Sequence, residues 1–443
     1  MTRADENAVG PLRQLLDETT REQGCSLKDL TVLANQNDPF RVDTPAGHRD
    51  GAWLAVTAQD LGLGDRKIYL RGLHYMVSTA GRPKPNGERY MNTDEDWNWL
   101  SVCAGKATRW LGYLPFEQVE DHRNAEPVVR WFGGASRPFP QLDLGVPDEI
   151  PDVGETAPTI RAFGFHRAQP YKIVVFGEKS ALEPVLGPFA ERYRADLYLS
   201  KGEISDTLLH QMARSGVAEY PLRRMIVLCF TDADPGGWQM PLSIARKLQA
   251  FKALKFDGLD FEVHRVALTP DQVREYQLPS TPLKAKEKRG DKWREAMGVE
   301  QTEIDALASL RPDLLTQIAN DAVAPFWDRD LDIRVLRAEQ RWEAEAQAVV
   351  DSSDAAAELA RISRQAAEHL DSLRGLRGLR DEADAINWSM RDGGGGFDLP
   401  PMVVPLATID GVSNGSLLLD SRWSFPEQCR RLIASKAYRL DIA

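Results

Sequence analysis

The sequence predicts an α/β fold with a largely parallel sheet, preceded by an α+β N-terminal domain and followed by a helical C-terminal extension. Short apolar runs alternate with helical segments between residues 161 and 332, which is typical of a parallel sheet covered by helices. A stretch rich in Pro, Gly and Asp, residues 133–160, precedes this alternation and predicts a linker. A stretch rich in Ala, Glu, Arg and Leu, residues 333–392, follows it and predicts a helical arm.

The size and composition of the chain are typical of a multidomain globular protein. The chain has 443 residues, 42% of them hydrophobic and 27% charged, and no apolar run approaches the roughly 18 residues of a membrane helix. The first residues lack the positive segment followed by an apolar one that is typical of a secretion signal. We therefore expect a cytoplasmic protein that does not bind a membrane. With a net charge of -11, any contact with nucleic acid must be local.

The cysteines argue against a disulfide framework and against a structural zinc site. Cys25, Cys103, Cys229 and Cys429 are widely separated, and none belongs to a CxxC motif or to a Cys/His pair at zinc spacing. We therefore expect reduced, mostly buried thiols.

The strands of the α/β region are predicted from short apolar runs. They are residues 173–176, 196–199 and 225–230, with helices predicted at 181–193, at 205–213 and after Gly237. Because parallel strands gather their functional groups beyond their carboxyl ends, the residues that follow these runs are the first candidates for a site.

One helix of the predicted N-terminal domain, residues 1–132, is marked by its first residues. Thr93 and Asp96 resemble a capping box, and apolar residues then recur at helical spacing through residues 97–111. Lys106 and Arg109 lie off the apolar stripe, so they are predicted to lie on a solvated face or to contact a phosphate.

The remaining C-terminal segment, residues 393–443, is predicted as a tail. It begins with a glycine run, residues 393–396, which suggests a hinge, and residues 402–406 and 417–419 are candidate strands. We expect the arm and the tail to serve either dimerisation or the docking of a partner.

Three carboxylates follow the predicted strands and indicate a metal site. Glu178 comes one residue after the predicted strand IVVF, and the DAD motif of Asp232 and Asp234 begins one residue after the strand MIVLCF. Residues two apart in an extended segment point to the same side, and carboxylate oxygens are ligands that suit Mg²⁺. The alternative is that these residues are acidic loop starts that serve solubility.

The motifs around these carboxylates resemble the TOPRIM domain of the topoisomerase VI A subunit, a family that includes the meiotic double-strand-break transesterase. They are GEKS at 177–180, SKG at 200–202 and DADPGG at 232–237, with Ser200 in place of the family's glycine. The stretch LTPDQVREYQLP, followed by EIDAL at 303–307, is similar to the segment that closes this domain in phage and plasmid relatives.

The resemblance extends to the N-terminal domain, which it identifies as winged-helix and CAP-like. LRGLHY at 70–75 matches the family's Arg-x-x-Tyr-Tyr motif, with Arg71 as the arginine and His74 in place of the first tyrosine. Tyr75 is then the nucleophile that attacks DNA. From the residues alone, Tyr75 is instead an aromatic side chain of the domain core, and His74 a buried, hydrogen-bonded imidazole.

The resemblance also implies cofactors and partners. It implies Mg²⁺, with Mn²⁺ as an alternative ion, a homodimer in which tyrosine and metal come from different protomers, and double-stranded DNA in a nucleoid-associated protein. Lys179 and Lys201 would contact phosphates, although Lys201 also suits a structural role in a turn. Full topoisomerases of the family require a separate ATPase subunit, and this chain has no GxxxxGK[ST] motif.

Three functions remain open from the sequence. The first is a DNA-cleaving transesterase that uses Tyr75, Arg71 and a metal site with Glu178. The second is a hydrolytic TOPRIM nuclease in plasmid or phage defence, in which the metal activates water. The third is a non-catalytic DNA-binding accessory protein.

Overall fold

The structure is a computed structural model that describes residues 10–34, 36–120, 128–132, 138–143, 159–165, 167–218, 222–283, 287–368, 382–387, 398–409, 411 and 416–435. The chain divides into two compact units. One comprises residues 1–132, 171–326 and 410–443, and the other comprises residues 133–170 and 327–409.

The strands of the described residues are, in chain order, β1 Ile68–Tyr69, β2 Val119–Glu120, β3 Val128–Arg130, β4 Phe139–Asp143, β5 Thr159–Phe163, β6 Tyr171–Gly177, β7 Asp196–Leu199, β8 Arg224–Phe230, β9 Phe261–Ala267 and β10 Leu417–Asp420. The helices are α1 Pro11–Gln23, α2 Pro45–Asp60, α3 Leu70–Ala80, α4 Asp94–Trp99, α5 Gly105–Trp110, α6 Glu183–Arg192, α7 Asp206–Val217, α8 Pro235–Leu254, α9 Pro270–Glu275, α10 Gly290–Met297, α11 Ile304–Leu310, α12 Pro312–Val323, α13 Leu331–Ser352, α14 Ala355–Glu368, α15 at 382–387 and α16 Phe425–Ala434.

The first unit is built on a mixed, mostly parallel sheet. In the described residues its strand order is β10-β9-β8-β6-β7-β3, and the four central strands, β9, β8, β6 and β7, run parallel. The edge strands β3 and β10 are antiparallel to their neighbours. The prediction of an α/β fold with a largely parallel sheet is therefore confirmed.

One face of this sheet forms the main core together with the helices packed on it. Val174 and Phe176 of β6 and Val227 of β8 are fully buried, and they belong to the same apolar cluster as Leu248 and Phe251 of α8. Apolar burial is the dominant favourable term in folding. Because this core holds β6 and β8 in place, it also holds the ends of these strands, which carry the site.

The N-terminal region packs helices around a second, smaller core. Leu54 of α2, Leu73 and Val77 of α3, and Leu100 are completely buried there. The short strands β1 and β2 pair in parallel, and Pro83 and Arg89 form an antiparallel bridge after α3. This arrangement is mixed α and β, and the winged-helix assignment stays a prediction.

The predicted helix start at Thr93 is confirmed, because the Thr93 side chain accepts a hydrogen bond from the backbone N–H of Asp96. The helix is not continuous, since a π-helical turn, Leu100–Ala104, separates α4 from α5. An extra residue in a helical turn rotates everything that follows by about 100°. Every residue of α5, Gly105–Trp110, is buried.

The second unit packs an antiparallel hairpin, β4 and β5, against α13. Gln347 and Glu343 of α13 accept hydrogen bonds from the backbone N–H groups of Ile160 and Ala162. Helix side chains thus satisfy backbone donors of the hairpin. The sequence predicts an irregular linker at residues 133–160, but β4 lies within it. This strand pairs with β5 and packs against α13, and the helix is remote in sequence.

The C-terminal segment contributes to both units. Residues 417–419, a predicted strand, belong to β10 and extend the sheet of the first unit. Residues 402–406 form no strand, since Pro401 and Pro405 lack the N–H groups that a ladder needs. The glycine run at 393–396 lies outside the described residues. No helix in the described part of the chain is both long and apolar enough to cross a membrane.

Candidate functional site

The predicted acidic residues lie at the carboxyl ends of two adjacent parallel strands. β6 and β8 pair in register up to Gly177 and Phe230, and the backbone N–H of Glu178 donates a 3.0 Å hydrogen bond to the carbonyl of Phe230. Asp232 and Asp234 follow directly in the turn that leads into α8. The topology therefore brings the three carboxylates to one edge of the sheet, as the sequence predicts.

Each carboxylate is held by a backbone N–H group. Oε2 of Glu178 accepts from the N–H of Asp232 at 2.8 Å, and Oδ1 of Asp232 accepts from the N–H of Ile304 at 2.8 Å. Oδ1 of Asp234 accepts from the N–H of Gly237 at 2.7 Å and caps α8. Among the described residues, Oε1 of Glu178 and Oδ2 of Asp234 have no hydrogen-bond partner, so both are available to a ligand.

The turn after β8 requires glycine at position 237. A Cβ atom on Gly237 would lie 2.3 Å from the carbonyl oxygen of Asp232 and 2.8 Å from its nitrogen. Because backbone atoms cannot yield as a flexible side chain can, this close approach fixes the start of α8 against Asp232.

The site concentrates negative charge in a poorly solvated place. Glu178 and Asp232 are both buried, at 8% and 4% exposed. Burial, followed by the negative charge of Asp232, raises the pKa of Glu178 to about 8, and burial also raises the pKa of Asp232. Carboxylates gathered in this way need a cation nearby to stay ionised.

Lys179 supplies a positive charge at this edge. Its Nζ atom lies 2.9 Å from Oε2 of Glu303, 3.1 Å from Oδ2 of Asp232 and 3.3 Å from Oδ2 of Asp305. Although burial lowers the pKa of Lys179, the hydrogen bond to Glu303 and the charge of Asp232 outweigh it and raise that pKa above its ordinary value. The ammonium therefore stays charged.

Glu303 and Asp305 also lie at the site, although the sequence motifs assign them no role. They flank Ile304, whose N–H holds Asp232, and Oδ1 of Asp305 is a buried atom with no hydrogen-bond partner among the residues that the structure describes. The motif EIDAL, which contains both, was a signal. The motif lies about seventy residues from Asp232, so no local pattern predicts the contact, which arises because Thr302 pairs with Ala233 in the turn after β8.

Lys201 lies in a turn beside this cluster. It forms a backbone bridge with Lys179, it is exposed, and it makes no ion pair with any residue that the structure describes. The preceding Ser200, which replaces the family's glycine, donates from Oγ to the carbonyl of Gly202 at 2.6 Å. The serine thus stabilises the turn, and Lys201 remains accessible to a phosphate.

Carboxylate oxygens, which gather here at the carboxyl edge of a parallel sheet, are ligands that suit Mg²⁺. Within the described residues, no group of three or more His, Cys, Asp or Glu side chains is arranged to hold a metal ion. The carboxylates around Asp232 surround the ammonium of Lys179 instead.

Arg71 and Tyr75 lie together on the surface of α3. Tyr75 is 48% exposed, so the alternative of a buried core aromatic is excluded in this structure. Nε of Arg71 donates to the Tyr75 hydroxyl at 3.2 Å, and the guanidinium also lies 4.5 Å from the ring centre of Trp97. His74 is fully buried, with hydrogen bonds to Tyr90 and Asn92, as the core interpretation of this histidine predicts.

Lys106 and Arg109 require a correction, because the structure buries both side chains. Lys106 donates to the carbonyl of Gln36 at 2.7 Å, and a guanidinium nitrogen of Arg109 lies 3.9 Å from Asp206. Burial and the nearby charge of Lys247 lower the pKa of Lys106 to about 8, although Asp206 opposes this. Neither residue lies on a solvated face or is placed to contact DNA. The physical reason is that α5 has no solvated face, since every residue from Gly105 to Trp110 is buried.

The structure therefore brings the predicted residues into two groups. Glu178, Lys179, Asp232 and Asp234 form one group at the sheet edge, and Arg71 with Tyr75 forms another on α3. No hydrogen bond or ion pair between the two groups exists in the described part of the chain. No model of a known protein family matches the chain, and a comparison with curated proteins finds no match either.

Proposed function

We propose that this chain cleaves DNA strands in a reaction that depends on Mg²⁺, with Mn²⁺ as an alternative ion. The observation that carries the proposal is the convergence of Glu178, Asp232 and Asp234 on the carboxyl edge of a parallel sheet, each with a backbone hydrogen bond. The sequence resemblance to the topoisomerase VI A family agrees with it, and we assign the α/β region to a TOPRIM domain on that basis.

The metal would be held by Glu178, Asp232 and Asp234. When bound, it would offset negative charge on the phosphate and on the leaving oxygen. Lys179, and Lys201 in the neighbouring turn, would add positive charge for the phosphates of the backbone. Such local charge allows an acidic protein to bind DNA.

Tyr75 is the nucleophile in this proposal. Its oxygen attacks the phosphorus, and the new phosphotyrosyl bond replaces the bond to the 3′ oxygen of the neighbouring nucleotide. The tyrosine proton passes to water, and the leaving 3′ oxygen takes a proton from solvent. Arg71, whose Nε lies 3.2 Å from the hydroxyl, would bind a phosphate oxygen beside it.

Double-stranded DNA and a homodimer complete the proposal. Tyr75 and the acidic site form separate groups within one chain, and the family resemblance assigns them to different protomers. The N-terminal region would then be a winged-helix, CAP-like domain that presents α3 to DNA. Strand passage would require a separate ATPase subunit.

A hydrolytic nuclease is the second candidate, and one observation favours it. The backbone groups that hold the three carboxylates come from the residues that surround them, so the acidic site is complete without Tyr75. In this case a water molecule would replace tyrosine as the nucleophile. The reaction would leave free DNA ends, which suit a defence function against plasmids or phages.

The test is cleavage of supercoiled DNA with Mg²⁺ or Mn²⁺, stopped with detergent and analysed with and without protease. We expect protein linked to 5′ ends, lost in Tyr75→Phe and in Glu178→Gln. Tyr69→Phe is the matched control, because Tyr69 is also an exposed tyrosine and lies next to α3.

Other outcomes separate the alternatives. Free ends that persist in Tyr75→Phe but vanish in Glu178→Gln would establish hydrolysis. An absence of cleavage with either metal would favour a non-catalytic DNA-binding protein. Restoration of cleavage on mixing Tyr75→Phe with Glu178→Gln would support a dimer with shared sites, whereas no restoration would argue against sharing.

A further inference from the structure

We infer that Trp97 is a positioning residue for the proposed cleavage reaction, because its ring holds the guanidinium of Arg71 against the hydroxyl of Tyr75. Trp97 acts through Arg71 and not on the phosphate itself. This inference rests on the proposed function, since it takes Tyr75 to be the nucleophile. It adds a residue of α4 to a site that the sequence motif places on α3 alone.

Two aromatic rings confine the guanidinium of Arg71. Its Cζ atom lies 4.5 Å from the ring centre of Trp97 and 5.2 Å from that of Tyr75, which is within the range of a cation–π contact. Nε of Arg71 donates to the Tyr75 hydroxyl at 3.2 Å. Arg71 pairs with no carboxylate in the described part of the chain, so these rings and this hydroxyl orient an exposed side chain.

The contact with Trp97 is the part of this arrangement that a single helix cannot supply. Arg71 and Tyr75 are four residues apart on α3, and such pairs on an exposed helix face are weak. An arginine side chain also has many rotamers. A planar guanidinium lies well on a planar ring, so contact with a second helix keeps Arg71 beside the hydroxyl for more of the time.

The start of α4 holds Trp97 in place. The Thr93 side chain caps the helix by accepting from the N–H of Asp96. The Asp96 carboxylate accepts from the N–H of Met91 and from Nζ of Lys84, both at 2.8 Å. Because Trp97 follows Asp96 directly, these bonds fix the backbone that carries the indole ring.

His74 supports the same ring from the buried side. The edge-on contact between the rings of His74 and Trp97 has a centre-to-centre distance of 5.4 Å, and the ring of Tyr75 lies 5.5 Å from the imidazole. Hydrogen bonds to Tyr90 and Asn92 fix His74, which is fully buried. The histidine therefore packs against both aromatic rings that confine Arg71.

The first test is fluorine NMR of the full chain labelled with fluorotyrosine, without nucleic acid. The resonance of Tyr75 is identified by its loss in Tyr75→Phe. Trp97→Leu should move this resonance in the same direction as Arg71→Ala does, because both changes take the guanidinium away from the hydroxyl. In the Arg71→Ala background, Trp97→Leu should move it by less than about half as much.

Trp99→Leu is the matched control for this experiment. Trp99 also lies on α4 and is also partly buried, but its ring contacts Trp53 and Tyr90 instead of Arg71. The substitution should leave the Tyr75 resonance in place.

The second test is the rate of DNA cleavage at saturating DNA. We expect Trp97→Leu to lower this rate about fivefold, while the DNA concentration for half-maximal rate changes less than about twofold. Trp97→Phe keeps a ring for the guanidinium and should stay within about twofold of the wild type. Trp99→Leu should also stay within about twofold.

Arg71→Lys tests the same contact from the exposed side. Lysine keeps the positive charge but has no planar group to lie on the indole ring. It should cleave DNA at least about fivefold more slowly than the wild type, and it should move the Tyr75 resonance. If Trp97→Leu does not fold, wild-type cleavage by Arg71→Lys overturns the inference.

The outcomes separate this inference from the proposed function. An unmoved Tyr75 resonance or a wild-type cleavage rate in folded Trp97→Leu would overturn the inference alone. Equal shifts caused by Trp97→Leu with and without Arg71, or an equal shift in Trp99→Leu, would overturn it too. If the wild type cleaves no DNA, the proposed function fails, and the role of Trp97 in cleavage fails with it.

Discussion

The backbone N–H of Asp232 donates a 2.8 Å hydrogen bond to Oε2 of Glu178, and this bond joins the ends of two neighbouring parallel strands. The carboxylate of Glu178 is thereby oriented by the same turn that carries Asp232 and Asp234. A change in that turn would move all three carboxylates together.

Substitution of Glu178 should remove the stabilisation that we expect Mg²⁺ to give to the fold at the proposed site. A ligand at about 100 times its Kd stabilises a protein by about 2.7 kcal/mol, so saturating Mg²⁺ should raise the wild-type Tm by on the order of 5 °C. Glu178→Gln keeps an acceptor for the N–H of Asp232 and should fold, yet its Tm should not respond to Mg²⁺. Differential scanning calorimetry would measure both.

Glu203→Gln is the control for this experiment, because Glu203 carries a carboxylate that is 57% exposed and lies outside the acidic cluster. It should keep the full response to Mg²⁺. An equal response in wild type and Glu178→Gln would show that Glu178 is not a ligand.

Gly237→Ala should destabilise the protein by about 2–4 kcal/mol, because the new Cβ would overlap the backbone of Asp232. Gly236→Ala is the matched control, since the nearest atom to its Cβ, Oδ1 of Asp234, lies at 3.3 Å. Alanine at 236 should change the free energy of unfolding by less than about 1 kcal/mol. Urea denaturation of both variants measures the difference, and equal values would contradict the close approach.

The buried ion pair of Arg246 and Asp38 should be essential for stability. Both side chains are at most 1% exposed, and Nε of Arg246 donates to Asp38 at 3.0 Å. Arg246→Met leaves the Asp38 carboxylate buried without its cation, which costs about 3–5 kcal/mol. The exposed pair of Arg13 and Asp17, 2.9 Å apart, provides the control.

Chemical denaturation would measure this contrast. Arg13→Met should cost less than about 0.5 kcal/mol, because exposed pairs at this spacing contribute little. A loss of similar size in both variants would refute the importance of the buried pair.

His210 should make the stability of the protein depend on pH between about 6.5 and 4. Burial lowers the pKa of His210 to about 4, and the charge of Lys255 adds to this, although Glu117 opposes it. Nζ of Lys255 lies 3.2 Å from Nε2 of His210, so this nitrogen is the acceptor of the neutral ring.

As the pH falls below the ordinary histidine pKa of about 6.5, the unfolded chain takes up a proton that the folded chain does not. Stability from the neutral ring is therefore complete above about pH 6.5 and lost as the pH falls to about 4. His210→Gln should flatten this part of the stability curve in urea denaturation, while both curves run parallel above pH 7.5. Parallel curves below pH 6 would contradict this prediction, because they would show that the ring takes up its proton at the same pH in the folded and unfolded chains.

Particular elements show what the sequence predicts reliably. The apolar runs of β6, β7 and β8 were predicted because strands buried on both faces are continuous apolar segments. Their order in a parallel sheet then placed Glu178, Asp232 and Asp234 at one edge. The start of α4 at Thr93 was predicted because a cap is a local interaction.

Contacts between remote segments account for what the sequence did not predict. β4 forms only because β5 and α13 pack against it, and the pairing of Lys179 with Glu303 and Asp305 depends on the course of the chain after α10. The burial of Lys106 and Arg109 arises because remote segments surround α5, with Gln36 beside Lys106 and Asp206 beside Arg109.

The sequence by itself determined the α/β class, the parallel sheet and the edge at which the carboxylates meet. Hydrophobic periodicity and the alternation of strands and helices can be recognised from residues that are close together in the sequence. Only the tertiary structure decided that Lys179 occupies the centre of the acidic cluster, that Tyr75 and Arg71 are exposed and that Lys106 and Arg109 are buried. These features depend on which remote segments exclude water from a side chain, and that is a property of the folded chain.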